Sequence, residues 1–458
     1  MDDLDTMASK SVSARPGLLN PSRPVRSLSV VFWLWKTIVF LVVVGCPGPG
    51  YDTSTSLLPQ QGVGSLSLSA PLKFVRWDSI YFVHIAESGY VFEQEWAFSY
   101  GFGKTIAFLS SVLSPWDNVL DGSAKIAIAG VALSHLAHYL SVLALYRLSI
   151  NVFGQETTTQ RLVCFLSAAL HIISPAGAFL SAPYGEPVFS FFNITGLYIY
   201  SSSVLDNEVG KSVLRNAKLL LAALVFSAAT VVRSNGFLSG FLFAYDALVQ
   251  LQRLLSRGVS VDAFVHLGVV VISGCILALG FVVPQLFAYA QYCMTEDVSR
   301  PWCRRLIPSI YGWVQDNYWN VGFLRYWTVS NIPLFLLALP MLAILIRSST
   351  WGLKAFLASS PHEASDSERV LSSKTQASLL MRLAVPQALL SGLAITNYHV
   401  QIINRVSSGY PVWYWYLAHL ILGDSGVKHS RIFTLAVPGA VIYALIQAVL
   451  FGSFLPPA

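Results

Sequence analysis

The chain has 458 residues, of which 54% are hydrophobic and only 11% are charged, with a formal net charge of +6. A soluble domain carries about a quarter charged residues, so this composition excludes a soluble globular protein and indicates a polytopic membrane protein. With so few charges, the basic excess is typical of cytoplasmic loops and gives no indication of a nucleic-acid-binding surface. We therefore expect an all-α polytopic membrane protein.

The first elements in chain order are a polar tail and an apolar run. Residues 1–28 are basic and rich in Ser and Pro, which predicts a disordered cytoplasmic N-terminal tail. Residues 29–45 predict the first span, and a cleaved signal peptide is the alternative, disfavoured by Trp33 and Lys36 inside the run. Because basic residues precede the span, residues 46–124 are expected on the far side of the membrane.

Ten further apolar runs follow, and most are near the roughly 20 residues that a bilayer requires. They lie at residues 125–149, 161–181, 184–203, 217–233, 236–252, 263–289, 329–347, 379–397, 412–422 and 433–452. The chain thus predicts a multi-span transmembrane domain over residues 29–458, with about 11 transmembrane helices.

Counted from a cytoplasmic N-terminus, the polar and aromatic motifs all fall on the far side of the membrane. The main loops there cover residues 46–124, 290–328 and 398–411. Short motifs that converge on one face are typical of an active site built from loops. A transporter more often places polar groups in broken helices near the middle of the membrane, so the pattern favours an interfacial enzyme over a carrier.

The densest group of acids in the chain follows the first span. Its candidate site residues are Arg76, Trp77, Asp78, His84 and Glu93. Asp78 suits a general base near the bilayer surface, and the alternative is an N-cap of the helix that follows. His84 either contacts a substrate or faces water. Aromatic neighbours would desolvate Glu93 and suit it to acid–base chemistry, whereas Glu95 is expected at the surface.

Two motifs between later spans add candidate binding residues. Glu186 lies in a proline-flanked turn and could hold a substrate amine or hydroxyl, or be a hydrated turn acid. Arg233 ends a span and precedes Asn235, so this pair could bind a phosphate head group. The alternative for Arg233 is an arginine that snorkels to the membrane interface.

The aromatic segment 311–327 and the turn after residue 396 complete the candidates. Trp319 and Asn320 lie in the aromatic segment, which suits either sugar stacking or the interfacial aromatic belt. His399, Gln401 and Arg405 are spaced so that they could flank a phosphate-sized anion, or cap helices.

The cysteines and acidic motifs give no indication of a metal. The five cysteines lack the spacing of zinc ligands. Cys293 and Cys303 share a predicted loop, where an oxidising compartment would favour a disulfide, although the sequence leaves the bond open. The only DxD motif, at Asp3 and Asp5, lies in the predicted cytoplasmic tail, so a metal-held nucleotide-sugar donor is unsupported.

Several of these segments, taken together and in order, match a known family. They are Arg76-Trp77-Asp78-Ser79, Tyr184-Gly185-Glu186, Arg233-Ser234-Asn235-Gly236, Tyr318-Trp319-Asn320-Val321-Gly322-Phe323 and His399-Val400-Gln401. From about residue 30 onward the chain resembles the second mannosyltransferase family of GPI-anchor biosynthesis. The sequence of residues 92–98 is similar to that of fungal members.

The resemblance implies a GT-C-type glycosyltransferase of the endoplasmic reticulum membrane whose site faces the lumen. Its donor would be dolichyl-phosphate mannose, its acceptor a monomannosylated GPI lipid intermediate, and the new bond α-1,6. A β-linked donor and an α-linked product imply inversion, which requires one base and cations near the leaving phosphate.

The resemblance also suggests roles for individual residues. We expect Asp78 to be the base, Glu93 to orient the substrate, and Arg233, His399 and Arg405 to stabilise dolichyl phosphate without a metal or cofactor. Some fungal members of the family require a small membrane accessory subunit, and the sequence leaves open whether this chain does. The alternatives are another dolichol-dependent lipid-linked sugar transferase, and a polytopic lipid carrier or flippase.

Overall fold

The computed structural model describes residues 21–47, 70–98, 100–116, 122–258, 260–294, 300–358, 367–423 and 435–455, and within these ranges it contains no β-strand. The α-helices are α1 (Pro24–Gly45), α2 (Asp78–Ser88), α3 (Tyr100–Ser111), α4 (Gly122–Phe153), α5 (Thr158–Ile172), α6 (Gly185–Glu208), α7 (Ser212–Val232), α8 (Gly240–Arg257), α9 (Val261–Cys293), α10 (Ile310–Asn317), α11 (Ile332–Ala358), α12 (Ser367–Thr396), α13 (Ile403–Val406), α14 (Val412–Leu422) and α15 (Ala436–Gly452).

The long helices correspond to the apolar runs of the sequence. Among the described residues, seven helices are long and apolar enough to cross a membrane, namely α1, α4, α6, α7, α9, α11 and α12. The other predicted runs coincide with α5, α8, α14 and α15, which are shorter or more polar. The all-α, multi-pass membrane architecture is therefore confirmed.

The first helix begins earlier than the sequence predicted. Helix α1 starts at Pro24, so residues 24–28 are helical and do not belong to the predicted disordered tail. Proline suits the first helical turn because its missing N–H has no partner there in any helix. Leu28 is fully buried, which extends the packed face of α1 beyond the most apolar stretch. Residues 1–20 of the predicted tail lie outside the described residues.

The core is a bundle in which neighbouring helices pack side by side. Helix α6 packs against α4 and α7, α7 against α9, α8 against α9, α11 against α12, and α14 against α5. A Cβ atom at Gly280 would lie 2.3 Å from the backbone oxygen of Ser227, so the close approach of α9 to α7 requires glycine there. This crossing brings the end of α7 beside the middle of α9.

The chain between α5 and α6 contains no α-helix, although the sequence predicted a span to residue 181. Helix α5 ends at Ile172, and a 3-10 helix covers Gly177–Leu180. Pro175 cannot continue a helix, and Gly177 has a φ of +42°, which favours glycine. A Cβ at Gly177 would also lie 3.1 Å from the backbone oxygen of Ala444 in α15.

Lys36 of α1 stabilises the segment between α5 and α6 through hydrogen bonds. Its side chain is buried, and Nζ donates hydrogen bonds to the Leu180 carbonyl oxygen at 2.6 Å and to Ser181 Oγ at 2.9 Å. Backbone groups buried among membrane helices require internal partners, so a lysine inside the first span has a structural reason.

The first and last helices are neighbours. Helix α1 packs against α15, and the chain beyond α15 places the Phe454 ring 5.2 Å from the Trp77 ring. The guanidinium of Arg76 lies 4.9 Å from the same Phe454 ring. The segment that leads into α2 is therefore packed against the far end of the chain.

A separate small cluster lies beside the end of α9. It consists of Trp96, Ala288, Trp302, Ile310 and Val314. Cys293 and Cys303 form the disulfide that the sequence left open, and it ties the 3-10 helix Pro301–Arg304 to the end of α9. We call residues 301–319 the cap segment, because it covers one side of the cavity described next.

Candidate active site

A cavity of about 400 Å³ lies where α2, α7, α9, α10, α12 and the segment 398–406 meet. Eight of the predicted site residues line it: Trp77, Asp78, Arg233, Asn235, Trp319, His399, Gln401 and Arg405. Five others lie outside its lining: Arg76, His84, Glu93, Glu186 and Asn320. Residues far apart in sequence thus line one cavity.

Two acids and two arginines form a row of side chains of alternating charge along one wall of the cavity. Arg405 Nη2 donates a hydrogen bond to Asp78 Oδ2 at 2.7 Å, and Arg405 Nε lies 3.4 Å from Glu186 Oε1. The same Glu186 oxygen lies 2.6 Å from Arg233 Nη1. The order is therefore Asp78, Arg405, Glu186, Arg233, and the summed formal charge of these four side chains is zero.

The four side chains of this row differ in their access to the cavity. The Asp78 side chain is 33% exposed and that of Arg405 is 16% exposed. Glu186 is fully buried and does not line the cavity, so it contacts both arginines from behind and cannot hold a substrate hydroxyl directly, as the sequence had suggested. Burial lowers the pKa of Arg405, but the carboxylates of Asp78 and Glu186 outweigh it and raise the pKa.

Two aromatic rings that the sequence did not mark as site residues hold Arg405. Its guanidinium carbon lies 5.0 Å from the Phe179 ring and 5.6 Å from the Tyr184 ring. Tyr184 also donates from its hydroxyl to the Arg76 carbonyl oxygen at 2.9 Å. A cation between two ring faces is attracted to both. The segment between α5 and α6 thus supplies the two rings that hold Arg405 in place.

Asp78 is the first residue of α2, and the structure does not use it as an N-cap. The N-cap position belongs to Trp77, whose φ of +55° is rare for a residue with a side chain. The Asp78 carboxylate instead binds Arg405. The structural alternative for Asp78 is therefore wrong, and its side chain is directed to the cavity wall.

His399, Gln401 and Trp319 form a second wall. His399 Nε2 lies 3.1 Å from the Trp319 carbonyl oxygen, and its ring is stacked on Tyr326 at 4.7 Å between centroids. A histidine that donates from Nε2 to a carbonyl has Nδ1 as an acceptor when it is neutral. The Tyr326 hydroxyl donates to Gln401 Oε1 at 3.0 Å. This wall offers polar atoms beside an indole ring.

Asn235 and Asn320 hold the backbone around the cavity. Asn235 Nδ2 donates to the Tyr410 hydroxyl at 3.2 Å, and that hydroxyl donates to the Asn235 carbonyl oxygen at 3.1 Å. Asn320 has a φ of +51°, a conformation that asparagine tolerates better than most residues. Asn320 therefore shapes the turn after Trp319 and does not line the cavity.

Glu93 is desolvated by aromatic neighbours, as the sequence suggested, but it does not line the cavity. It is buried outside the cavity lining, where Oε1 accepts from Trp302 Nε1 at 3.2 Å. Oε2 accepts from Trp313 Nε1 at 3.2 Å and from the Tyr318 hydroxyl at 3.1 Å, and Arg300 Nε lies 3.5 Å from Oε1. The prediction that Glu93 orients the substrate is corrected: its carboxylate binds the cap segment.

His84 and Arg76 also have structural partners. His84 Nδ1 lies 2.5 Å from Glu95 Oε1, and Glu95 Oε2 accepts from the backbone N–H groups of Val91 and Phe92. Glu95 is buried, so the expectation that it lies at the surface is wrong, because it organises the turn after α2. Arg76 is buried beside Phe454, and burial lowers its pKa to about 10.

One contributor to the site carries no signal in the sequence. Tyr443, in α15, lines the cavity and accepts a hydrogen bond from Asn404 Nδ2 at 2.9 Å. In the part of the chain that the structure describes, no three His, Cys, Asp or Glu side chains are grouped so that they could hold a metal ion.

Comparison with known proteins adds independent findings. The family described as Mannosyltransferase (PIG-V) matches residues 51–458. The chain is 56% identical to GPI mannosyltransferase 2 of Aspergillus oryzae, over 99% of this chain and 100% of that protein. It is 39% identical to GPI mannosyltransferase 2 of Gibberella zeae, over 95% of this chain and 98% of that protein. A solved oligosaccharyltransferase of Archaeoglobus fulgidus is similar at a TM-score of 0.45 and 11% identity, over 92% of this chain and 55% of that one.

Proposed function

Because the chain belongs to the mannosyltransferase (PIG-V) family, whose pattern spans residues 51–458, we propose that it transfers the second mannose of a GPI anchor. The donor is dolichyl-phosphate mannose, the acceptor is the monomannosylated GPI lipid intermediate, and the new bond is α-1,6. The relatives named GPI mannosyltransferase 2 support a GPI intermediate as the acceptor, since two of them match 99% and 95% of the chain at 56% and 39% identity.

The observation that carries the proposal is the pairing of Asp78 with Arg405 at the wall of a cavity with aromatic sides. An inverting transfer needs a base for the acceptor hydroxyl and cations for the leaving phosphate. Asp78 takes the proton, and Arg405 and Arg233 face the phosphate. Trp77 and Trp319 line the cavity, and indole rings are surfaces against which a sugar can stack.

The step balances without a further reactant. The acceptor hydroxyl oxygen attacks C1 of the donor mannose while its proton passes to Asp78. The bond from C1 to the phosphate oxygen breaks, and its electron pair leaves with dolichyl phosphate. The phosphate gains one negative charge as Asp78 loses one. In this proposal fixed arginine charges stabilise the leaving group, and the transfer requires no metal.

The proposal also assigns a location. The helices that are long enough to cross a membrane support a multi-pass protein, and we place it in the endoplasmic reticulum membrane with the cavity facing the lumen. The disulfide between Cys293 and Cys303 beside the cavity supports an oxidising compartment on that side. The proposal is compatible with a small accessory membrane subunit as a partner.

Mannose transfer in microsomes tests the proposal. Microsomes from cells that lack their own second mannosyltransferase receive dolichyl-phosphate mannose and either the intact chain, Asp78→Asn, or the control Glu87→Gln. Glu87 is an exposed acid on the same helix, outside the cavity lining. The intact chain and the control should convert the one-mannose intermediate to the two-mannose product, and Asp78→Asn should not. An inert intact chain, or an active Asp78→Asn at equal abundance, contradicts the proposal.

A further inference from the structure

Arg405 has two uses that compete with each other. In the structure it binds the carboxylate of Asp78, which the proposed function uses as the base. The same guanidinium lines the cavity, where the proposed function requires a cation for the donor phosphate. We propose that the donor phosphate displaces Asp78 from Arg405, so that binding of the donor releases the base. The inference rests on the proposed function and adds an order of events to it: the donor binds first, and Asp78 is then released from Arg405.

The geometry allows this exchange without loss of the arginine from the wall. Arg405 is held at three points other than Asp78: Glu186 at 3.4 Å from Nε, and the rings of Phe179 and Tyr184 at 5.0 and 5.6 Å. Asp78 contacts Nη2, a different nitrogen from the one that faces Glu186. Nη2 can therefore change partner while Nε keeps its contact with Glu186. Asp78 is 33% exposed, whereas Glu186 is fully buried, so a ligand can compete with Asp78 and cannot reach Glu186.

The charges of the wall favour the same exchange. Asp78 and Glu186 together balance Arg405 and Arg233, so the unliganded wall carries no net charge from these four groups. A phosphate therefore gains little from long-range attraction and must compete for a specific partner. During the transfer Asp78 is neutralised by the proton it accepts, and the phosphate becomes more negative. The better partner of Arg405 is then the phosphate, which stabilises the charge that develops in the transition state.

The exchange predicts an effect opposite to that of an ordinary binding residue. Asp78→Asn removes the competing carboxylate and should tighten the binding of dolichyl phosphate while it abolishes transfer. The gain should be about ten- to one-hundred-fold, the factor that corresponds to a hydrogen bond between charged groups. Arg405→Gln should weaken the binding of dolichyl phosphate by at least about tenfold.

The double variant separates the exchange from a general charge effect. Removing any nearby carboxylate raises the local potential and could tighten an anion without Arg405. If Arg405 is the shared partner, Asp78→Asn should have no effect on dolichyl phosphate binding when Arg405 is already Gln. If the gain is as large in the Arg405→Gln background as in the intact chain, the exchange is overturned.

The experiment measures binding of dolichyl phosphate to the full chain purified in detergent micelles. The chains compared are the intact one, Asp78→Asn, Arg405→Gln, the double variant and Glu87→Gln, with thermal unfolding of each as a check of folding. Glu87→Gln should bind as the intact chain does. Unchanged or weaker binding by a folded Asp78→Asn overturns the inference. Should Asp78→Asn fail to fold, Asp78→Ser is used with the same expectation.

Failure of the inference and failure of the proposed function are distinguishable. Mannose transfer by the intact chain tests the function and does not depend on the binding of dolichyl phosphate to the variants. If the intact chain transfers mannose and Asp78→Asn shows no gain in binding, only the exchange is wrong. If the intact chain transfers no mannose and binds no dolichyl phosphate, the donor assignment fails and the exchange fails with it.

Discussion

Glu93→Gln should loosen the cap segment, residues 301–319, from the turn that follows α2. In the structure Glu93 Oε1 accepts from Trp302, and Oε2 accepts from Trp313 and Tyr318. Glutamine has the same shape but replaces one oxygen with an NH2 group. Either orientation of the amide places that group against an indole N–H, so at least one buried donor loses its acceptor.

The magnitude follows from these contacts. A buried donor without an acceptor costs about 1–3 kcal/mol, and the remaining hydrogen bonds weaken because they no longer reach a charged acceptor. We expect a total loss of about 2–4 kcal/mol in the free energy of unfolding. Arg300 adds little, since its side chain is 43% exposed and lies 3.5 Å away. The loss should be accompanied by faster proteolysis within the cap segment.

The assay is denaturant unfolding of the purified chain in detergent, paired with mannose transfer. The matched control is Glu87→Gln, an exposed acid from the same region, whose effect should stay within about 0.5 kcal/mol. A second comparison is Tyr318→Phe, which removes one of the three donors and should cost about 1 kcal/mol. If Glu93→Gln is as stable as the intact chain but transfers mannose about a hundredfold more slowly, Glu93 acts on the substrate and our reasoning is wrong.

Three further predictions concern other parts of the chain. Cys293→Ser combined with Cys303→Ser should lower the free energy of unfolding, because the unfolded chain regains the entropy that the disulfide removes, and the short loop limits the loss to about 3 kcal/mol. A reductant should lower the stability of the intact chain equally and leave the variant unchanged. Lys36→Met should leave the Leu180 carbonyl without its partner and cost about 1–3 kcal/mol, measured by unfolding against the exposed control Lys104→Met; equal stability of the two would refute the role of Lys36. Because the pKa of Arg405 is raised, its positive charge is lost only above the ordinary pKa of arginine. Dolichyl phosphate binding should therefore show no alkaline loss from Arg405 below about pH 11, whereas Arg405→Lys should lose binding near pH 10. The pH profile of binding checks this prediction, and a loss at the same pH in both chains refutes it.

The sequence predicted the helices well, because apolar runs near the length of a bilayer leave few alternatives. It also selected residues from distant segments that meet at one cavity, such as Asp78, Arg233 and Arg405. It failed for acids whose environment depends on packing. Glu93 follows Phe92 and Asp78 follows Trp77, so both look like acids beside an aromatic residue. Only the path of the cap segment decides that Glu93 is enclosed and that Asp78 reaches the cavity.

Other failures have the same origin. The burial of Glu95 depends on a turn that bends back toward His84, and Tyr443 reaches the cavity only because the last helix packs near the first. Neither arrangement leaves a periodic pattern in the local sequence. The segment after α5 was harder still, since a short stretch without α-helix inside a membrane protein is easily assigned to the apolar run that ends at residue 181.

The contact between the first and last helices has a consequence for how the protein is made. Asp78 is synthesised early, but the segment that precedes it packs on Phe454, and the cavity wall needs Tyr443. A nascent chain that has inserted α1 to α14 therefore still lacks a closed site. Activity should appear only after the ribosome has passed residue 454 and α15 has entered the bilayer beside α1. Until α15 has been made, α1 lacks one of the helices against which it packs in the finished protein.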